Sequence, residues 1–290
     1  MAQIREIKKR IKAVGNIQRI TNTMQMIATA RFKSAMDRAT ATKPYTEKVR
    51  GLVEELAANA TDIKHPLFES PDPSPGRELV VVMTSNRGLC GAYNSNVLRT
   101  ASHHLRAATS DSELEVVGKK GLAFFRFAGF DITQFHGQFG DKPVYADVEE
   151  LADRYMADFI DGGYDRISLC YMRFISTGVQ RPTVSTLLPL KPPVADEDGA
   201  GAGVGVQYDF SPDVETLLQD LLPITVKTAL YQAFNDAVVS EQVARMVAMK
   251  AATDNAGKLG KTLKRTFNRA RQAQITTELN EIIGGASGLD

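Results

Sequence analysis

The stretch Ile4-Arg5-Glu6-Ile7-Lys8-Lys9-Arg10-Ile11-Lys12-Ala13-Val14 places a branched apolar residue at every third or fourth position. Mostly charged residues fill the gaps. One apolar stripe at 3-4 spacing is the seam of a coiled coil rather than the broad face of a globular helix. Ile17, Ile20, Met24 and Ile27 repeat the spacing after an extra step of three, a stammer that locally overwinds a coil. Tyr45, Val49, Leu52 and Leu56 resume it, and Ala28, Ala35 and Ala39 allow close helix approach between. Residues 1–60 therefore read as one coiled-coil helix, roughly 85–90 Å long. His65-Pro66, Pro71, Pro73 and Pro75-Gly76 then break it.

Residues 77–190 follow another rule. Leu79-Val80-Val81-Val82-Met83 is a continuous apolar run of strand length. A loop at 84–91 and a helical stretch to about Ala108 follow. Leu114-Glu115-Val116-Val117, residues 132–135, 167–171 and 183–190 are further strand candidates. Helical patterns fall at 122–127 and 148–159. Strands alternating with helices predict a central, mostly parallel, Rossmann-like α/β sheet. Pro192-Pro193 and the glycine-alternating run from Gly199 mark a flexible linker over 191–211. Residues 212–284 are helical again, with apolar steps from Leu217 to Ile282, Pro223 near the start and a stop at Gly284-Gly285. That makes a rod of roughly 100 Å.

Long helices at both ends of one chain, joined through a compact domain, pair only as an antiparallel coiled coil. The longer one overhangs its partner. Large apolar residues thin out to Leu259, Leu263 and Phe267 along 250–274. Helix stability in proteins comes mainly from tertiary burial, so such a tip needs a sheath from another protein.

The 290 residues carry a net charge of +1, with 43% hydrophobic and 24% charged residues, ordinary for a globular chain. The even total hides an asymmetry: residues 1–50 carry +9, 51–240 carry −11, 241–275 carry +6 and 276–290 carry −3. Two basic blocks imply an anionic partner: nucleic acid, membrane surface or acidic protein. No run of about 18 apolar residues is present, so no bilayer-spanning helix is expected. The N-terminus lacks the apolar core of a secretory signal. Cys90 and Cys170 form no C-x-x-C pair and read as free thiols.

Catalytic and cofactor motifs do not assemble. The glycines of 199–205 are out of phase for a dinucleotide fingerprint. Gly260-Lys261-Thr262 resembles the end of a phosphate-binding loop, but Asn255 stands where its first glycine belongs. His65, His103, His104 and His136 show no metal spacing with the cysteines. No cofactor and no metal are expected. The loop at 84–91 follows a strand, where α/β folds hold ligands, and its Arg87 suits an anion. A tight turn that uses its glycines for backbone geometry is the favoured alternative. Cys90 has no general base beside it in sequence.

Four runs resemble one family. They are residues 240–256, beginning Ser240-Glu241-Gln242-Val243-Ala244-Arg245; residues 270–286, beginning Ala270-Arg271-Gln272-Ala273-Gln274-Ile275; Ile20-Thr21-Asn22-Thr23-Met24; and Asn86-Arg87-Gly88-Leu89-Cys90-Gly91. Together they resemble the γ subunit of bacterial-type, proton-translocating F-type ATP synthases, along nearly the whole chain. The resemblance implies a non-catalytic rotor shaft, one copy per complex, that couples c-ring rotation to ATP synthesis or hydrolysis. Its coiled coil stands inside an α3β3 hexamer, and its α/β domain is a foot against the ε subunit and the c-subunit ring. The expected location is peripheral, on the cytoplasmic face of the inner membrane, with no nucleic acid and no nucleotide bound directly. It further implies β-subunit contacts at Met24, Arg245, Arg271, Gln272, Thr276 and Glu278, and c-ring contacts at Tyr208 and Phe210. Met24 and Arg245 would lie together, which sets paired residue numbers to total near 270. Plain seam packing is the alternative role for Met24. Ser211 stands where the family often carries an acidic residue, and thiol switching is not expected.

Two other readings compete with this one. A nucleic-acid-binding protein would use both basic helices, but no recognition-helix motif is present and the cations are spread around the rod. A small α/β enzyme with helical arms lacks a catalytic constellation.

Overall fold

The computed structural model describes residues 2–59, 65–68, 74–108, 110–190 and 214–286. The expected linker at 191–211, with Tyr208 and Phe210, lies outside them. In chain order the elements are α1 (Ala2–Asn59), β1 (Arg77–Met83), α2 (Tyr93–Ala107), β2 (Asp111–Val117), α3 (Lys119–Phe127), β3 (Gln134–His136), α4 (Tyr145–Ile160), β4 (Arg166–Ser176), β5 (Val179–Leu188) and α5 (Val214–Ala286). The two long terminal helices and the central, mostly parallel sheet are as expected.

Contacts divide the chain into two compact units, one of residues 31–244 and one of 1–30 with 245–290. The larger unit is built on a five-stranded sheet of order β3-β2-β1-β4-β5. β1 pairs in parallel with β2 and β4, and β2 with β3. β5 runs antiparallel to β4, a hairpin that the alternating pattern did not announce.

The apolar run on β1 divides by its two-residue period. Val80 and Val82 face Val97 and Ala101 of α2, Phe125 of α3 and Cys170 of β4. Leu79, Val81 and Met83 face Val148, Tyr155 and Phe159 of α4 and Leu222, Leu230 and Phe234 of α5. Burial on both faces is what makes the run continuous rather than alternating. The 214–244 stretch of α5 is thus a wall of the sheet's own core. Ala35 and Ala39 of α1 meet Val238 and Val239 of α5 in a third cluster, with Phe32, Met36 and Phe174 beside it. The small residues there permit the close helix approach that their spacing implied.

A buried ion network ties the sheet to α4. Glu115 of β2 accepts from Tyr155 Oη at 2.6 Å and from Arg154 Nη2 at 2.7 Å, and pairs with His136 Nε2 at 2.7 Å. Burial alone would raise the Glu115 pKa. The hydrogen bonds from His136 and Tyr155 and the charge of Arg154 outweigh it and hold the carboxyl below its ordinary range.

The smaller unit is a helical pair. Its buried residues are Thr21, Ala28, Arg245, Met249 and Ala256, among the side chains described there.

Candidate functional site

The helical pair of 1–30 and 245–290 carries the six residues expected to contact a β subunit. Its seam on α1 departs from the pattern of large apolar residues. Ile4, Ile7, Ile11 and Val14 are half-buried, as expected. Beyond them the buried positions are Thr21, 9% exposed, and Ala28, 1% exposed. Gln18 approaches α5 closely enough that a Cβ on Gly257 would meet its amide at 3.0 Å. Thr253 Oγ1 donates to Thr21 Oγ1 at 2.8 Å. Positions 4, 7, 11, 14, 18, 21, 25 and 28 form one unbroken heptad series. No stammer exists there. Ile17, Ile20 and Ile27, expected in the seam, are 52%, 58% and 48% exposed, and Met26 is 62% exposed. They form a second apolar stripe on the flank of the pair.

The register differs as well. Val14 meets Gly260, Thr21 meets Thr253 and Gln18 meets Gly257, so partner numbers total 274 or 275 rather than 270. Met24 therefore faces the neighbourhood of residue 250. Arg245 lies about 8 Å further along the axis at 1.5 Å per residue. The two do not sit opposite one another. Met24 is half-buried and Arg245 is buried.

The same register leaves the end of α5 without a paired helix beyond about residue 273. Ile275, Leu279, Ile282 and Ile283 are all exposed there. Arg271 and Glu278 come together with Arg5, Lys8, Phe267 and Ile275 around an open groove of about 340 Å³. The groove combines three cations, one carboxylate and an apolar floor. Gln272 and Thr276 do not line it. Both are exposed, and the Thr276 hydroxyl donates to the Gln272 carbonyl at 3.0 Å. Glu278 accepts from Gln274 at 2.7 Å.

The 84–91 loop is a turn braced by other parts of the chain. Ser85 N–H donates to Asn94 Oδ1 at 3.0 Å, and Ser85 Oγ donates to the Arg87 carbonyl at 2.7 Å. Leu89 holds a left-handed φ of 64°. The anion facing Arg87 is the chain's own Asp141, at 3.6 Å. Cys90 is buried under this turn. Burial pushes the Cys170 thiol up to about 12, which keeps it protonated and inert. Gly260, Lys261 and Thr262 lie within α5, where the Thr262 hydroxyl donates to the Lys258 carbonyl, so they form no phosphate loop. No group of three potential metal ligands exists among the described residues.

The feature that sequence reasoning placed wrongly is the exposed Ile17–Ile20–Ile27 flank, which the spacing assigned to the seam. Its signal was present: an apolar heptad out of step with the one before it.

A family model described as ATP synthase matches residues 3–289. The chain is 44% identical over 296 residues to the ATP synthase gamma chain of Rhodopirellula baltica, and 38% identical over 292 residues to that of Leptospira biflexa, with each pair covered end to end. Among solved structures, a chain of the Euglena gracilis mitochondrial ATP synthase in an assembly of OSCP, F1 and c-ring superposes with a TM-score of 0.67 at 22% identity. That match covers 99% of this chain and 95% of the other. A chain of the rotor of the same organism's enzyme gives 0.63 at 20% identity, over 94% and 99%.

Proposed function

The chain belongs to the family of ATP synthase gamma chains, and on that premise we propose that it is the central rotor shaft of an ATP synthase. It is a non-catalytic subunit. It couples proton-driven rotation of a c-ring to ATP synthesis and hydrolysis at αβ catalytic sites.

The observation that carries this reading is the exposed apolar flank of the helical pair. A two-helix coil with Ile17, Ile20, Met26 and Ile27 turned outward strands apolar area in water. Enclosure by an α3β3 ring removes it. The overhanging end of α5, with Leu279, Ile282 and Ile283 exposed, needs the same sheath. Charge supports it too: residues 1–50 carry +9 and 241–275 carry +6, suited to acidic loops on the enclosing subunits. Exposed charge pairs are individually weak, which suits a bearing that must release at every step.

Coupling then follows from symmetry. One lopsided shaft inside a three-fold ring meets each catalytic site with a different part of its surface. Each site gains a different interaction free energy and settles in a different conformation. Rotation exchanges those biases in turn. The linkage is reciprocal for binding energies, so nucleotide occupancy also drives the shaft. In this reading Met24, Arg245 and the groove residues Arg271 and Glu278 touch β-subunit loops, as do the exposed Gln272 and Thr276. The α/β unit meets the ε subunit and the c-ring, with Tyr208 and Phe210 assigned to the ring. One copy serves each complex, at the cytoplasmic face of the inner membrane. No helix among the described residues is long and apolar enough to cross a membrane.

The test is complementation. Membranes lacking their own gamma chain should regain proton-driven ATP synthesis when this chain is supplied, with one chain per purified complex. Synthesis by a complex that excludes the chain would overturn the reading. So would tight duplex DNA binding at physiological salt with no ATPase partner, the behaviour of the nucleic-acid alternative.

A further inference from the structure

We propose that Asp141 is the positioning residue of a joint that locks α1 to the α/β domain, so that torque applied to the domain turns both helices. The proposal rests on the rotor reading above and deepens it.

All the parts lie in the 31–244 unit. The carboxyl ends of β1 and β2, at Met83-Thr84 and Val117, open on a crevice. The crevice is filled from within the chain. Phe139 inserts from the segment after β3 and stacks on Phe234 of α5, with ring centroids 4.5 Å apart. The space left among Thr84, Asn86, Tyr93, Phe139 and Glu241 is about 30 Å³. That holds a water molecule and no substrate. Asn86 pins the plug by donating to the Phe139 carbonyl at 3.0 Å, while its own carbonyl accepts from the Lys119 N–H at 3.1 Å.

Asp141 ends this plug and gathers three arginines. Its carboxylate accepts from Arg31 of α1 and faces Arg87 of the β1–α2 loop at 3.6 Å. Its backbone carbonyl accepts from Arg38 of α1 at 3.3 Å. Arg31 and Arg38 are seven residues apart, two helical turns, and so share a face of α1. They grip the plug at two points along the helix.

The two helices are held by different means. α5 is bound through deep apolar burial, from Leu218 to Ala237. α1 is bound through the small Ala35–Ala39 cluster and through Asp141. Apolar packing on small side chains resists separation but permits sliding and rolling. Charge-assisted hydrogen bonds from Arg31 and Arg38 to one residue are directional where apolar packing is not. Asp141 therefore sets the azimuth of α1 on the domain.

The experiment uses the assembled complex in sealed vesicles. ATP hydrolysis and ATP-driven proton pumping are measured per mole of incorporated chain for wild type, for Asp141→Asn and for the conservative variant Asp141→Glu, which keeps the carboxylate that faces Arg31 and Arg87. The expected result is a drop of at least about twofold in protons pumped per ATP hydrolysed for Asp141→Asn. Asp141→Glu should keep most of the wild-type ratio. An unchanged ratio in Asp141→Asn overturns the proposal, whether or not the yield of complex falls, because a merely structural role lowers yield alone. A ratio in Asp141→Glu as low as that of Asp141→Asn also overturns it. If the wild-type chain itself supports no pumping, the rotor reading fails instead of the joint.

Discussion

The two units of this chain are stabilised in opposite ways. The 31–244 unit buries Phe125, Tyr155, Phe159, Leu222 and Leu230 almost completely. The pair of 1–30 and 245–290 buries mainly small or polar side chains, Thr21, Ala28 and Ala256 with Met249 and Arg245. Its larger apolar residues Ile17, Ile20, Met26 and Ile27 point outward. One unit has its core inside. The other has its apolar surface outside and its seam made of whatever fits closely. On the proposed reading the domain bears load on its own and packs itself, while the helical pair keeps its apolar face for the subunits that would enclose it. Single substitutions test this contrast, ranked by their cost to the isolated chain.

The largest cost belongs to Phe159→Ala. Phe159 is fully buried between the sheet and α5, and truncating such a side chain costs about 3–5 kcal/mol. Urea unfolding of the isolated chain should show the domain transition shifted by that amount. A midpoint equal to wild type would mean that α4 does not close this core.

Glu115→Gln comes next, at about 1–3 kcal/mol, because Arg154, His136 and Tyr155 lose a charged acceptor in a buried place. It also carries a pH signature. The folded Glu115 carboxyl titrates below its ordinary value of 4.5. The ionised form is therefore favoured by folding. Its stabilisation is complete above the unfolded value and is lost as pH falls through the lower folded value. The wild-type urea midpoint should fall with acid below about pH 4.5 more steeply than that of Glu115→Gln. Parallel curves would remove the network from the account of stability.

Much of the domain was legible in sequence because each element there obeys a local rule. Apolar runs such as 79–83 sit where they do because both faces of the sheet are covered, and burial imposes that pattern on the strand itself. The antiparallel β5 escaped because strand direction is set by pairing partners, not by its own composition. Asp141 escaped for a similar reason: nothing near it in the chain marks it, and its arginines come from positions 31, 38 and 87. In the helical pair the familiar rule misled. Counting large apolar residues found Ile17, Ile20 and Ile27 and made them the seam. The seam runs instead through Gln18, Thr21, Gln25 and Ala28, because close approach favours small and hydrogen-bonding side chains. An apolar stripe announces a buried face without saying whose partner buries it.

A smaller cost tests that seam. Thr253→Val removes the hydroxyl bonded to Thr21 and should cost about 0.5–1.5 kcal/mol, seen as faster amide exchange in residues 14–28 rather than as a shift of the domain transition. The same site fixes the register. Cysteines replacing Thr21 and Thr253 should cross-link on mild oxidation, since their hydroxyls are 2.8 Å apart. Cysteines replacing Met24 and Arg245 should not. Efficient cross-linking of the second pair alone would restore the register near 270.

The smallest cost to the isolated chain belongs to Ile20→Glu, and it separates the two units most sharply. Ile20 is 58% exposed on the flank. A surface substitution of this kind changes stability by no more than about 0.5 kcal/mol. The isolated chain should therefore unfold as wild type does. In the assembled complex the same carboxylate would be driven into an apolar sleeve, where an unpaired charge is costly to desolvate. Proton-driven synthesis per assembled complex should then fall well below that of wild type, while Phe159→Ala, which weakens the domain, should act mainly on the amount of complex formed. If Ile20→Glu instead destabilised the isolated chain by several kcal/mol, the flank would be part of the pair's own core, and the distinction between a unit packed inward and a shaft packed outward would be lost.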